Sequence, residues 1–136
     1  MFDTGCSFNE IIGLENEDIY SEKYNPFIII RSNSFRTINN IYKRRIIPLV
    51  GVSLQITNKI KKNEKDKLIF EKYFHGKKFN YKSFELKLNK IIKELTQNKT
   101  CITFKYSMID RLQQVNCPDN VIAEIIGLVH KEKFYN

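Results

Sequence analysis

In "ITFKYSMIDRL", residues 102–112, Lys105 shares a helical stripe with Met108, Ile109 and Leu112. A lysine carried inward on such a stripe can meet a phosphate as a point charge. The competing reading is a stem that lies along apolar surface with its ammonium in water. A second concentration of charge, Arg36, Lys43, Arg44 and Arg45, falls in and just after "NSFRTINNIYK". Four cations at one turn could grip a nucleic-acid backbone, or could form a solvated hairpin tip. The tracts "NKIKKNEKDK" and "HGKK" read as solvated faces. His75 and His130, the two histidines, are candidates for general acids, though surface histidines are common.

Bulk properties set the class of these candidates. The 136 residues suit one domain over positions 1–136, long enough to bury roughly two-thirds of the surface its unfolded form exposes. A hydrophobic content of 42% argues against disorder, and a net charge of +8 suits equally an acidic partner, nucleic acid being the commonest, or a soluble lysine-rich surface. Cys6, Cys101 and Cys117 are odd in number and widely spaced. They suit neither a disulfide framework nor a metal site, which points to a reducing, cytoplasmic setting. No stretch of about 18 apolar residues is present, so no membrane span is expected, and neither is a cofactor.

The elements that must position the candidates can be read in order. "TGCSFNEIIGL" has helical spacing, with Thr4 as a cap and Gly13 near the end. "ENEDIYSEKYN" is a polar connection with Ile19 turned inward. "PFIIIRS" and "RRIIPLV" are β-branched runs and read as strands, with Pro48 at a strand end or edge. "SLQITNKIKKNE" reads as a helix on Leu54, Ile56 and Ile60. In "NYKSFELKLNKIIKELTQN" the stripe Phe84, Leu88, Ile91, Ile92 and Leu95 predicts the strongest helix. The opening stretch is another, and "DNVIAEIIGL" follows a break at Cys117-Pro118 with Asp119 as its cap.

Three fragments in this order carry a resemblance: "TGCSFNEIIGLENEDI", "RRIIPLVGVSL" and "SMIDRLQQVNCPDNVIAEIIG". Together they resemble the catalytic domain of tyrosine recombinases of the phage integrase family, over essentially the whole chain. The resemblance implies an α+β fold, mainly helical, with a small antiparallel sheet or hairpin on one edge. It also implies DNA integration by a tyrosine that attacks a phosphodiester, with arginines, a lysine and histidines around the phosphate. The DNA-clamping domain that precedes such a domain would lie outside this chain, which reads as truncated.

Carried over residue by residue, most of that machinery is replaced. Ser7 stands at the first arginine, and one hydroxyl donor cannot replace a guanidinium fork. Glu10 is retained with an implied supporting role. The lysine position falls within Asn39–Ile41, with Arg36 or Lys43 able to approach. The "HxxR" motif becomes Ile102 to Lys105, followed by Tyr106. The late His or Trp position falls at Leu128, with His130 nearby, and the nucleophile position matches Tyr135. Losing one transition-state donor typically costs on the order of 10²–10³ in rate, and several are lost here.

The expectation is therefore a degenerate, inactive recombinase domain that holds double-stranded DNA weakly through Arg36, Lys43, Arg44, Arg45 and Lys105. Two other classes stand beside it. One is a folded remnant or interaction module without a nucleic-acid role. The other is rearranged chemistry using Tyr135 with Lys105 and His130, for which Tyr135 would otherwise be a packed or frayed residue. An apolar surface near Phe2 and Phe8 would favour a homo-oligomer.

Overall fold

In the computed structural model, which describes residues 1–21, 24–60, 67–76, 78–96 and 99–128, the two β-branched runs lie side by side. Strand β1 is Ile19–Tyr20, β2 is Phe27–Ile30 and β3 is Arg45–Pro48, antiparallel in the order β1-β2-β3. Ile28 pairs with Ile47 and Ile30 with Arg45, so one face buries Ile19, Ile28, Ile30 and Ile47. Pro48 ends the edge strand opposite Phe27, where a missing N–H is harmless. The supposed polar connection thus supplies a strand. Its two residues are too few to show alternation in sequence, and pairing with β2 creates them.

Helix α1 is Phe8–Ile12, α2 is Gly51–Lys59, α3 is Tyr81–Leu95, α4 is Thr103–Gln114 and α5 is Asp119–Ile126. A two-stranded hairpin, β4 (Phe74–His75) and β5 (Lys78–Phe79), precedes α3. Helices and small antiparallel sheets make this a mixed α+β chain. Among the described residues no helix is long and apolar enough to cross a membrane.

Several boundaries differ from the sequence expectation. Helix α1 starts after Ser7, not Thr4, because Gly5 at φ +61° turns the chain first, its N–H bonding to Met1 O at 3.0 Å. Thr4 is buried instead, its hydroxyl accepting from the Cys6 amide. Pro118 takes the position before α5, and Asp119 becomes the first helical residue, where its charge suits the helix dipole. In α3 the stripe is only partly used: Ile92 is buried, whereas Ile91 and Leu95 are 55% and 78% exposed. Its packing concentrates at Phe84, whose ring meets Phe8 at 5.3 Å and Tyr73 at 4.5 Å. Phe8 therefore packs inward, and the exposed Phe2 ring lies 3.8 Å from the Arg111 guanidinium.

The core has two parts. Cys6, Leu14, Ile19, Ile28, Ile30, Ile38, Ile47 and Leu49 gather under the sheet, and Ile109, Ile122 and Ile126 join α4 to α5. Asp3 ties the parts together. Its Oδ2 accepts the Val52 and Ser53 amides at 2.9 and 3.3 Å, capping α2 from 49 residues away, and its Oδ1 faces Arg111 at 3.3 Å. Asp3→Ala should lower stability by about 1 kcal/mol, the ordinary cost of a lost cap. Asp3→Asn, which keeps an acceptor, should recover part of it. Equal midpoints for Asp3→Ala and the parent chain in thermal melts would refute the role.

Candidate functional site

Four segments meet around one cleft of about 390 Å³. Helix α1 and its cap supply Ser7, Asn9 and Glu10; the β2–β3 loop supplies Arg36 to Asn40 and Lys43. Lys105 enters from α4, and Ile126 to Leu128 close the far side where α5 ends. Ser7, Asn39, Asn40, Lys43, Lys105 and Leu128 are thus brought together from across 121 positions of sequence.

Three of the cleft's polar groups are engaged internally. The Ser7 hydroxyl donates to Glu10 Oε2 at 3.0 Å, and the Ser7 amide bonds the same oxygen at 2.7 Å. That spends the one donor of Ser7, so it presents no hydrogen to a phosphate. Arg36 is folded inward, with Nε and Nη2 on Arg31 O at 3.1 and 2.7 Å and Nη1 on Glu10 O. Its side chain is only 7% exposed, and burial lowers its pKa. Glu10 in turn is held by Arg45, Oε1 at 2.6 Å from Nη1 and Oε2 at 3.2 Å from Nη2.

Arg45 is the centre of this arrangement, although it does not line the cleft. Besides Glu10, it bonds Ile125 O through Nε at 2.8 Å and Lys43 O through Nη1 at 3.0 Å. One guanidinium thereby joins α1, the end of α5 and the strand that carries it. A planar fork with five donors can do this, and a lysine cannot. Burial raises the Glu10 carboxyl, but the hydrogen bond and charge of Arg45, with the Ser7 bonds, outweigh it and hold it below its ordinary value.

The four-residue basic cluster of the sequence therefore divides. Arg36 and Arg45 are structural cations turned into the protein, whereas Lys43 and Arg44 are exposed. For Arg45 alternation along the strand is the reason, since it pairs with Ile30 on the inward face and Arg44 precedes the strand. Arg36 is instead turned in by its bonds to Arg31 O and Glu10 O. One sequence signal was available, since "SFNE" has the spacing of a capping box, which fixes Glu10 against Ser7 in the cleft wall.

Lys43 and Lys105 are the ammonium groups that line the cleft, and among the described residues neither makes an ion pair. Burial lowers the Lys105 pKa, Glu10 opposes that shift, and Arg45 and Lys43 reinforce it. An anion in the cleft would supply the countercharge that Lys105 lacks.

Other expected positions lie elsewhere. Ile102 is 54% exposed and Tyr106 is exposed, and neither lines the cleft. His75 sits in a different cavity, beside the β4–β5 hairpin. Tyr135 and His130 lie outside the described residues. No family model, curated protein or solved structure matches this chain.

Proposed function

We propose that the chain is a tyrosine-recombinase-like domain, related to phage integrases, that holds the phosphate backbone of duplex DNA without cleaving it. One observation supports this reading above others. Of the positions that the resemblance carries over, Ser7, Asn39, Asn40, Lys105 and Leu128 line a single cleft with Lys43, whereas Ile102 and Tyr106 do not. The same positions support a reading without cleavage. The cleft offers two lysine charges and asparagine amides, while the forks of Arg36 and Arg45 are bound to protein groups. Without a free guanidinium fork the transition-state charge goes unmet.

A second reading, a folded module with no nucleic-acid role, is favoured by the inward commitment of those two arginines, which removes two charges from any DNA-facing surface. Salt-titrated binding to a duplex separates the two. Each phosphate contact contributes a slope of about −0.9 to log K against log salt, so Lys105→Gln should reduce the slope by about one. It should weaken all duplex sequences alike, because phosphate contacts carry no base readout. No binding at low salt would establish the second reading. A nicked suicide duplex should yield no covalent adduct, and a Tyr135-dependent adduct would overturn the claim of inactivity.

A further inference from the structure

A second cavity, of about 320 Å³, opens between the β4–β5 hairpin and the first turn of α3. Lys72, His75 and Lys87 stand exposed around it, and Asn80, Ser83 and the Tyr73 ring complete its lining. Among the described residues no carboxylate lines it. Glu71 turns away, with Oε2 on the Leu68 amide at 3.2 Å, and the Glu85 charge acts on Cys101, whose thiol pKa is raised first by burial and then by Glu85. Among the described residues Lys72, His75 and Lys87 form no ion pair; the Lys72 ammonium lies 5.0 Å from the Tyr73 ring centroid. The Asn80 side chain caps α3 by accepting the Ser83 amide, which leaves the Ser83 hydroxyl as a donor. Two ammonium groups, an imidazole and a hydroxyl thus converge, with no acid among the described residues that line the cavity. The volume is several times the roughly 30 Å³ share of a liquid water, room for a phosphate with part of its hydration.

The position of this cavity relates it to the cleft. Phe8, next to Ser7, packs on Phe79 and Phe84 at 6.2 and 5.3 Å, and these are the neighbours of Asn80 and Ser83. Phe35, next to Arg36, meets Phe74, the neighbour of His75, at 5.3 Å. Aromatic rings in contact therefore connect the walls of the two cavities. We propose that the cavity of Lys72, His75, Ser83 and Lys87 is a second phosphate-binding site, taking a phosphodiester of the same nucleic-acid backbone that the cleft holds. Its anion chemistry stands on these residues alone, and the identity of the phosphate's source rests on the proposed function.

Two measurements on the full chain test the two parts separately. Inorganic phosphate, titrated against chloride at constant ionic strength, should shift the backbone amide resonances of Ser83 and Lys87. The shifts should vanish in Lys72→Gln/Lys87→Gln, whose exposed positions leave the far-UV circular dichroism unchanged. Unmoved amides in the parent chain overturn the site. With duplex DNA the double variant should reduce the salt slope by about 0.9, the share of one phosphate, so that raising salt from about 50 to 200 mM weakens binding roughly three- to fourfold less than in the parent. An unchanged slope, with the phosphate shifts intact, overturns the nucleic-acid source and leaves a site for free phosphate. If the parent binds no duplex while phosphate still shifts the amides, the proposed function fails and the anion site survives.

Discussion

Replacing Arg45 by alanine is expected to destabilise the fold by about 3–5 kcal/mol, the usual penalty for removing one partner of a buried ion pair. The side chains of Arg45 and Glu10 are 8% and 11% exposed, so the remaining carboxylate would lie largely out of water without its countercharge. The Ile125 carbonyl would lose its donor as well, which loosens the end of α5 from β3. Against a total stability of about 5–15 kcal/mol, such a loss is large enough to unfold a marginal domain. Arg44→Ala is the control. Its side chain is exposed one position away, and surface changes usually stay within about 0.5 kcal/mol. Urea midpoints that coincide for Arg45→Ala and Arg44→Ala would show that the ion pair does not hold the two core regions together.

The same pair sets an acid limit. Because Arg45 holds the folded Glu10 carboxyl below its ordinary value of 4.5, ionisation of Glu10 favours the folded state. That contribution is complete above about pH 4.5 and is lost as the pH falls through the lower folded value. Glu10→Gln should flatten this limb of the stability profile while lowering stability at neutral pH. A limb of unchanged steepness would assign the acid sensitivity to another carboxylate.

The second large effect is expected for Gly127→Ala. Gly127 ends α5 at φ +70°, a conformation costing an L-residue roughly 1–2 kcal/mol. An added Cβ would also lie 2.5 Å from Arg45 Nη1 and 2.9 Å from its Cζ. Long side chains often swing aside, but this guanidinium is bonded to Glu10, Ile125 and Lys43, so its displacement breaks the network just described. The total should therefore approach that of Arg45→Ala. Gly76→Ala isolates the backbone part, since Gly76 has φ +61° and nothing within 4 Å of the added carbon. In an Arg45→Ala background, Gly127→Ala should cost only about what Gly76→Ala costs, because the clash has gone. Additive losses in that cycle, followed by chemical denaturation, would refute the coupling.

What could be read in the sequence followed from local physics. The runs "PFIIIRS" and "RRIIPLV" became β2 and β3 because β-branched side chains suit a half-buried pleat, and Pro48 fell at an edge because it cannot donate. The phrases around Phe84, Ile109 and Ile122 became α3, α4 and α5, and Gly127 stopped the last of them. The mixed α+β class follows from these segments alone.

What the tertiary structure decided were contacts between residues far apart in the chain. A cluster of four cations has no inside or outside in sequence. Pairing of Arg45 with Ile30 and folding of Arg36 back to Arg31 and Glu10 sent two of them inward and left Lys43 to the cleft. Strands β1, β4 and β5 have two residues each, too short for any period, and exist through their partners. The cap of α2 comes from Asp3, 49 residues away. A buried charge must find its counterion wherever the fold brings one, and that requirement, invisible in local pattern, shaped both the cleft and the lock behind it.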